Sequence, residues 1–228
     1  SESINEGQTS VSTVEAGDAD GNTIAYSIDS TGREDHALFT INSSTGALTM
    51  TARDFENPTD DHGTDDDNVY GVTVKATDNG TGALTATHDI SVTVVNVNDN
   101  SPALTVNTPY SVAEGQTAVG TVTTTDGDAG TTTFTYSLSG TDADDFTITK
   151  TGEAQNGVIT FDAAPDFETK TAYSLNVLVS DGTTTTTEAI VVNVTNVNDN
   201  SPVLTVNTPY SVAEGTTAVG TVTTTDAD

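Results

Sequence analysis

Acidic side chains recur in the same order in two successive stretches of the sequence. The first stretch carries Glu6, Asp18-x-Asp20, Asp54-Phe55-Glu56 and Asp78, and the second carries Glu114, Asp126-x-Asp128, Asp166-Phe167-Glu168 and Asp181. Each series is followed by the same seven residues, NVNDNSP, at 96–102 and 196–202. In an extended chain, residues i and i+2 point the same way, so every D-x-D and D-F-E pair presents two carboxylates to one side. Solvated surface acid explains any single position, but it does not explain the ordered set.

These side chains offer oxygen ligands and no sulfur. The chain has no cysteine, and its three histidines, His36, His62 and His88, all lie in the first stretch without a counterpart in the second. Calcium takes about six to eight oxygen ligands, whereas transition metals favour nitrogen and sulfur. The pattern therefore predicts calcium sites built from carboxylates and from the NVNDN segments.

The overall charge points to cations as partners as well. Five basic residues stand against 34 acidic ones in 228 residues, for a formal net charge of -29. This balance repels nucleic acid and anionic membranes. No apolar run approaches the roughly 18 residues of a membrane span, and no signal peptide opens the sequence. We therefore expect a segment of a longer protein, with no nucleic-acid partner and no direct membrane insertion in this segment.

The acids lie within an internal repeat of about one hundred residues. Residues 98–128 and 198–228 differ at only three positions, and SVAEG at 111–115 returns at 211–215, with a diverged SINEG at 3–7. A period this long predicts that each repeat is a domain with its own core. We expect repeat one at 1–103, repeat two at 104–203 and the truncated start of a third repeat at 204–228.

Each repeat consists of short strands separated by turn signals. Apolar and polar residues alternate most clearly at 173–179 and at 190–194, and no segment shows a helical period. Seven strands rich in Val, Thr, Ile, Tyr and Phe in about a hundred residues predict an all-β, seven-stranded Greek-key sandwich.

Together, these signatures resemble a known family. SVAEG, D-x-D before a YS strand, D-F-E, a Thr-Asp or Ser-Asp pair after a strand, and N-x-NDNSP match cadherin repeats in order and at comparable spacing. The tandem cadherin-like repeats of large bacterial surface adhesins are similar in particular. The resemblance implies tandem cadherin/immunoglobulin-like β-sandwiches joined by calcium-binding linkers, at the extracellular surface of a cell, and the likeness to bacterial adhesins favours a bacterial outer surface.

The resemblance also implies which residues hold calcium at each junction. The first junction would use the side chains of Glu6, Asp54, Glu56, Asn96, Asn98, Asp99, Asp126, Asp128 and Asp181, and the backbone carbonyls of Val97 and Asn100. The second would use the side chains of Glu114, Asp166, Glu168, Asn196, Asn198, Asp199, Asp226 and Asp228, and the carbonyls of Val197 and Asn200. Cadherins usually carry Asp at the first linker position, where this chain has Asn96 and Asn196. An upstream half-site would consist of Asp18, Asp20 and Asp78.

Three functions remain open from the sequence. The first is a calcium-stiffened stalk in a cell-surface adhesion protein, and the second is a module that itself binds another copy, another cell-surface protein or a glycan. The third is a glycosidase with Asp54/Glu56 or Asp166/Glu168 as its acid pair, which the tandem copies disfavour. Repeat one has an additional acidic segment with Asp60, Asp61, Asp65, Asp66 and Asp67, which we expect to be a solvated loop, with a fourth calcium site as the alternative.

Overall fold

The computed structural model describes residues 1–64, 66–128, 133–152, 156–206 and 208–228. The chain divides into a first unit, Ser1–Asn100 with Gly127–Thr131, and a second unit, Ser101–Asp126 with Thr132–Asp228. Both units are built from β-strands. The helical segments of the described chain are two short 3-10 turns, η1 (Glu34–Leu38) in the first unit and η2 (Ala143–Asp145) in the second.

The first unit is a seven-stranded sandwich. Its strands are β1 (Glu2–Asn5), β2 (Ser10–Thr13), β3 (Ile24–Ile28), β4 (Phe39–Ile41), β5 (Ala47–Met50), β6 (Val69–Asp78) and β7 (Thr85–Val95). One sheet has the order β1-β7-β6-β3 and the other β2-β5-β4. Strand β1 runs parallel to β7, and the remaining pairs are antiparallel. The predicted all-β fold and strand number are confirmed for this unit.

The core of the first unit lies between its two sheets. Alternate residues of β6 and β7 face inward, among them Tyr70, Val72 and Val92, none of which is exposed to solvent. Leu48 and Met50 of β5 close the core from the opposite sheet. Burial of each such side chain stabilises the unit by about 1.5–3 kcal/mol. The β6–β7 hairpin leads directly into the first NVNDN segment.

The second unit adds an eighth strand to the same plan. Its strands are β8 (Ala103–Thr105), β9 (Tyr110–Ala113), β10 (Ala118–Thr125), β11 (Thr135–Ser139), β12 (Phe146–Thr151), β13 (Asn156–Phe161), β14 (Ala172–Ser180) and β15 (Thr185–Thr195). The two sheets have the orders β12-β13-β10-β8 and β11-β14-β15-β9. Strand β8 follows NVNDNSP and pairs with β10, which the sequence did not predict.

A two-stranded ladder completes the second unit. It consists of β16 (Val203–Thr205) and β17 (Thr223–Thr225). Val203 pairs with Thr225 as Ala103 pairs with Thr125, so the near-identical segments adopt the same register.

The alternation predicted at 173–179 is confirmed in β14. Tyr173, Leu175, Val177 and Val179 are buried, and their polar neighbours face outward or lie partly exposed. The ring of Tyr173 packs edge-on against the ring of Phe161, with centroids 5.0 Å apart. The second core therefore repeats the construction of the first.

Candidate metal centres

Glu6 joins three segments of the first unit. Strand β1 pairs with the end of β7, and the Glu6 amide donates to the Val95 carbonyl at 3.0 Å. The Glu6 side chain is 7% exposed. Its Oε1 accepts a hydrogen bond from the Val97 amide at 2.7 Å, and its Oε2 accepts one from the Phe55 amide at 2.8 Å. One carboxylate thus ties the first strand to the D-F-E turn and to the linker.

Three carboxylates converge beside this anchor. Oxygen atoms of Glu6, Glu56 and Asp99 all lie within 4.8 Å of one another. Asp54 and Asn100 line the same open cavity as Glu6 and Asp99. Desolvation raises the pKa of Asp99, and the negative charges of Glu6, Asp128 and Asp54 raise it further. The site therefore favours a positive charge next to Asp99.

Linker amides hold the other carboxylates of this site. Asn96 Nδ2 donates to Glu56 Oε1 at 2.8 Å, and Asn100 Nδ2 donates to Glu56 Oε2 at 3.2 Å. The Oδ1 of Asp128 accepts hydrogen bonds from Asn100 Nδ2 at 3.0 Å and from the backbone amides of Asn100 and Asp99 at 3.3 and 3.4 Å. Hydrogen bonds from N–H groups of the linker to the carboxylates of Glu56 and Asp128 thereby hold the linker in place.

The second unit repeats the anchor. Glu114 is 6% exposed, and it accepts hydrogen bonds from the amides of Val197 at 2.6 Å and Phe167 at 2.8 Å. Oxygen atoms of Glu114, Glu168 and Asp199 lie within 4.8 Å of one another. Desolvation, followed by the charge of Glu114, raises the pKa values of both Asp199 and Glu168.

The end of this second linker also contacts an acid of the D-x-D motif. Asn200 donates to Asp228 through its backbone amide at 3.0 Å and through Nδ2 at 3.1 Å. Asp166 lines the same cavity as Glu114 and Asp199. Acids that recur in the same order along the sequence therefore also lie close together in the second unit.

Asp126 and Asp181 come together at another part of the second unit. A carboxylate oxygen of each lies within 4.8 Å of the other. Asp181 Oδ1 accepts hydrogen bonds from the amides of Thr183 and Thr184, both at 2.7 Å. The hydrogen bond from the Thr184 amide is the main cause of a lowered pKa of Asp181, so this carboxylate is held in its charged form.

Other predicted ligands lie outside the three carboxylate groups of the described chain. Asp226 is not among their members, and the side-chain oxygens of Asn98 and Asn198 and the carbonyls of Val97, Asn100, Val197 and Asn200 stay predictions. At the upstream half-site, Asp18 and Asp78 line one cavity. The members of all three groups are carboxylates, without histidine or cysteine. That donor chemistry suits Ca²⁺.

The acidic segment of repeat one differs from its expectation. Asp60 is 1% exposed, and its carboxylate accepts hydrogen bonds from the amides of Asn68 at 2.9 Å and Asp67 at 3.2 Å. The prediction of a solvated loop is therefore wrong for Asp60, because backbone N–H groups solvate its charge inside the protein. The described acids of this segment belong to none of the carboxylate groups, and Asp65 lies outside the described residues.

Sequence reasoning missed a pair of supporting carboxylates. Asp35 and Asp142 each stand four residues before the phenylalanine that begins β4 or β12. Asp35 accepts a hydrogen bond from the Gly71 amide at 2.8 Å, and Asp142 accepts one from the Ser174 amide at 2.7 Å. The recurring D-x-x-x-F spacing was the signal that could have identified them.

The comparisons with known proteins concern the same repeats. The family model of the Cadherin domain matches residues 1–95 and 108–195. Cadherin EGF LAG seven-pass G-type receptor 2 of Mus musculus is 34% identical over 220 residues, which are 92% of this chain and 7% of that protein. Protocadherin-11 X-linked of Sus scrofa is 37% identical over 165 residues, 67% of this chain and 14% of that protein. The chain thus spans a small part of either relative.

Solved structures are similar along the whole chain. Mouse Cadherin-23 EC22-24 matches with a TM-score of 0.69 and 26% identity, covering 100% of this chain and 74% of that one. The protocadherin gammaB7 EC3-6 cis-dimer structure matches with a TM-score of 0.75 at 24% identity, covering 100% of this chain and 54% of that one, and it supports the fold alone. Among the described residues, no helix has the length and apolar character needed to cross a membrane.

Proposed function

The chain belongs to the cadherin family, and on that premise we propose that it is a segment of a cell-surface adhesion protein in which Ca²⁺ binds at the linkers and stiffens an extended stalk. Cadherin repeats are typical of cell adhesion proteins, and the related proteins are adhesion and receptor proteins rather than enzymes. The proposal rests mainly on the group formed by Glu6, Glu56 and Asp99, which contains one member from the turn that follows the first strand, one from the D-F-E turn and one from the linker.

The charge of this group supports calcium as the ligand. Two like charges about 4 Å apart near a protein surface repel by roughly 4 kcal/mol at an effective dielectric constant of 20. A bound Ca²⁺ would supply two positive charges against the three carboxylates, and it would link the linker to the sandwich. A bound ion would supply positive charge and coordinate the ligands. Glu6 would supply a carboxylate whose position is fixed by its hydrogen bonds to the Val97 and Phe55 amides. The other ligands remain those that the cadherin pattern assigns.

Two further features of the full protein belong to the proposal. We keep the repeat boundaries at 1–103, 104–203 and 204–228. The three differences between 98–128 and 198–228 support recent duplication in a long array, as in large bacterial surface adhesins. The complete reading frame tests that origin, because a bacterial secretion signal and a terminal ligand-binding domain would accompany the array.

Calcium titration tests the stalk directly. We expect Ca²⁺ to raise the thermal stability of the chain and increase its maximum dimension in small-angle scattering, with half-saturation at about 10⁻⁴–10⁻³ M. Mg²⁺ should act poorly, because it requires a tight octahedron and retains water. Equal maximum dimensions in calcium and in chelator would refute the stiffening.

Point variants separate the ligands from the fold. Asp99→Ala and Asp128→Ala should each weaken calcium binding in calorimetry while the sheet signal in circular dichroism stays unchanged, because both cores consist of apolar side chains. Loss of the sheet signal with calcium present would show that these acids support the sandwich itself. If a second copy or a glycan is bound instead, association should persist in chelator.

A further inference from the structure

Asparagine amides in the first linker occupy both oxygens of Glu56. Asn96 Nδ2 lies 2.8 Å from Oε1, and Asn100 Nδ2 lies 3.2 Å from Oε2. The same Asn100 amide group reaches Asp128 Oδ1 at 3.0 Å. These are charge-assisted hydrogen bonds, which are stronger than bonds between neutral groups.

The orientation of the Asn96 amide follows from its neighbour. Reversal of the amide would place Oδ1 at the 2.8 Å position, where it would meet Glu56 Oε1 as one acceptor against another. Aspartate at position 96 would place a second carboxylate there. Unlike an ionised carboxylate, an amide can donate to Glu56 without a cation and, after a half-turn about its last side-chain bond, offer an oxygen ligand to a cation.

We infer that Asn96 and Asn100 are positioning residues that hold the first linker against Glu56 when no cation is bound. This inference rests on the proposed calcium site, which it deepens. The asparagines keep the linker ordered in the ion-free state, and the neutral side chain at 96 lowers calcium affinity, because affinity rises with the charge of the ligands. Asparagine at 96 therefore makes linker order less dependent on calcium than aspartate would.

The second linker provides a graded comparison within the same chain. Asn196 Nδ2 lies 3.4 Å from Glu168 Oε1, longer than the corresponding 2.8 Å in the first linker. Asn200 Nδ2 donates to Asp199 and Asp228, both at 3.1 Å. We call the hydrogen bond from the first linker asparagine to the glutamate of the D-F-E turn the tether. The tether of the second linker, from Asn196 to Glu168, is therefore weaker than that of the first.

Hydrogen exchange of the full chain, measured by NMR in EDTA, tests the tether. The reporter is the Val97 amide, which donates to Glu6. Asn96→Leu removes the amide without adding charge, and Asn96→Asp removes the donor and adds charge. Both variants should lower protection of Val97 at least about tenfold, which is the lower end of the effect of losing one hydrogen bond to a charged group. The amides of β6 should keep their wild-type protection. Asn196→Leu should lower protection of Val197 by about twofold or less.

Calcium addition separates the tether from the binding site. Asn96→Asp should bind calcium more tightly than the wild type in calorimetry and regain its Val97 protection, whereas Asn96→Leu should do neither. If the Val97 amide of Asn96→Leu keeps its wild-type protection in EDTA, the tether is refuted. It is also refuted if only Asn96→Asp loses protection of Val97, because the added charge would then explain the loss. If both variants lose Val97 protection in EDTA, and neither they nor the wild type respond to calcium, the tether is supported and the proposed calcium function is refuted.

Discussion

Replacement of Glu6 by alanine removes the anchor between the first sandwich and its linker. The substitution leaves the Phe55 and Val97 amides without the carboxylate that they contact at 2.8 and 2.7 Å. A hydrogen bond to a charged group contributes about 1.5–3 kcal/mol. Both amides belong to half-buried residues that water can reach in part, so we take the lower end for each. The expected loss is about 3 kcal/mol from the free energy of unfolding of the first unit, measured in chelator at about 1 M salt, which screens the repulsion among Glu6, Glu56 and Asp99.

Exchange of amide hydrogens in the full chain resolves the two units. Amides of β6 report on the first unit, and amides of β14 report on the second. A loss of about 3 kcal/mol corresponds to roughly a hundredfold lower protection in β6, since each 1.4 kcal/mol is a factor of ten. Protection in β14 should not change. The Glu6→Gln variant keeps an acceptor oxygen and should lose about half as much.

Glu114→Ala is the matched control, because Glu114 makes the same two contacts in the second unit at 2.6 and 2.8 Å. It should reverse the pattern, with β14 destabilised and β6 unchanged. A loss below about 0.5 kcal/mol for Glu6→Ala would refute the anchor, since surface substitutions away from special features have effects of that size. Equal losses in both units would refute its assignment to one sandwich.

Three other predictions concern the supporting structure. Asp60→Ala should cost the first unit at least about 3 kcal/mol in denaturant unfolding, because its buried carboxylate accepts two backbone amides. Calcium binding should not change, and its loss would support a fourth calcium site. Gly71→Ala should cost about 1–3 kcal/mol, since an added Cβ would lie 2.6 Å from the ring of His62, and an unchanged midpoint would contradict that packing. The Lys170 hydrogen bond, followed by that of the Ser174 amide, lowers the pKa of Asp142, so its stabilisation is present above the unfolded value of 3.8 and is lost as pH falls through the folded value. Lys170→Met should therefore flatten the acid dependence of unfolding of the second unit, and an unchanged slope would refute the pairing.

Local patterns in the sequence predicted most of the strands of the two sandwiches. Alternation at 173–179 identifies β14 because successive side chains of a strand face opposite sides, whatever the rest of the fold does. The resemblance to cadherin repeats assigned Glu6, Glu56 and Asp99 to one junction, and the structure brings their oxygens together. Strand β8 escaped prediction because three residues after a proline carry too short a pattern.

The sequence by itself determined the repeat, the all-β class and the oxygen-rich chemistry of the linkers, since each depends on residue types and on spacing along the chain. Only the tertiary structure decided which carboxylates are solvated by water and which by backbone amides. The sequence does not show that the carboxylates of Asp60 and Glu6 both accept backbone amides, or that the first closes a loop and the second holds the linker. The role of Asn96 also depended on the fold, because its partner Glu56 lies 40 residues away in the chain. Hydrogen bonds across such separations depend on how the sheets pack, which no local pattern records.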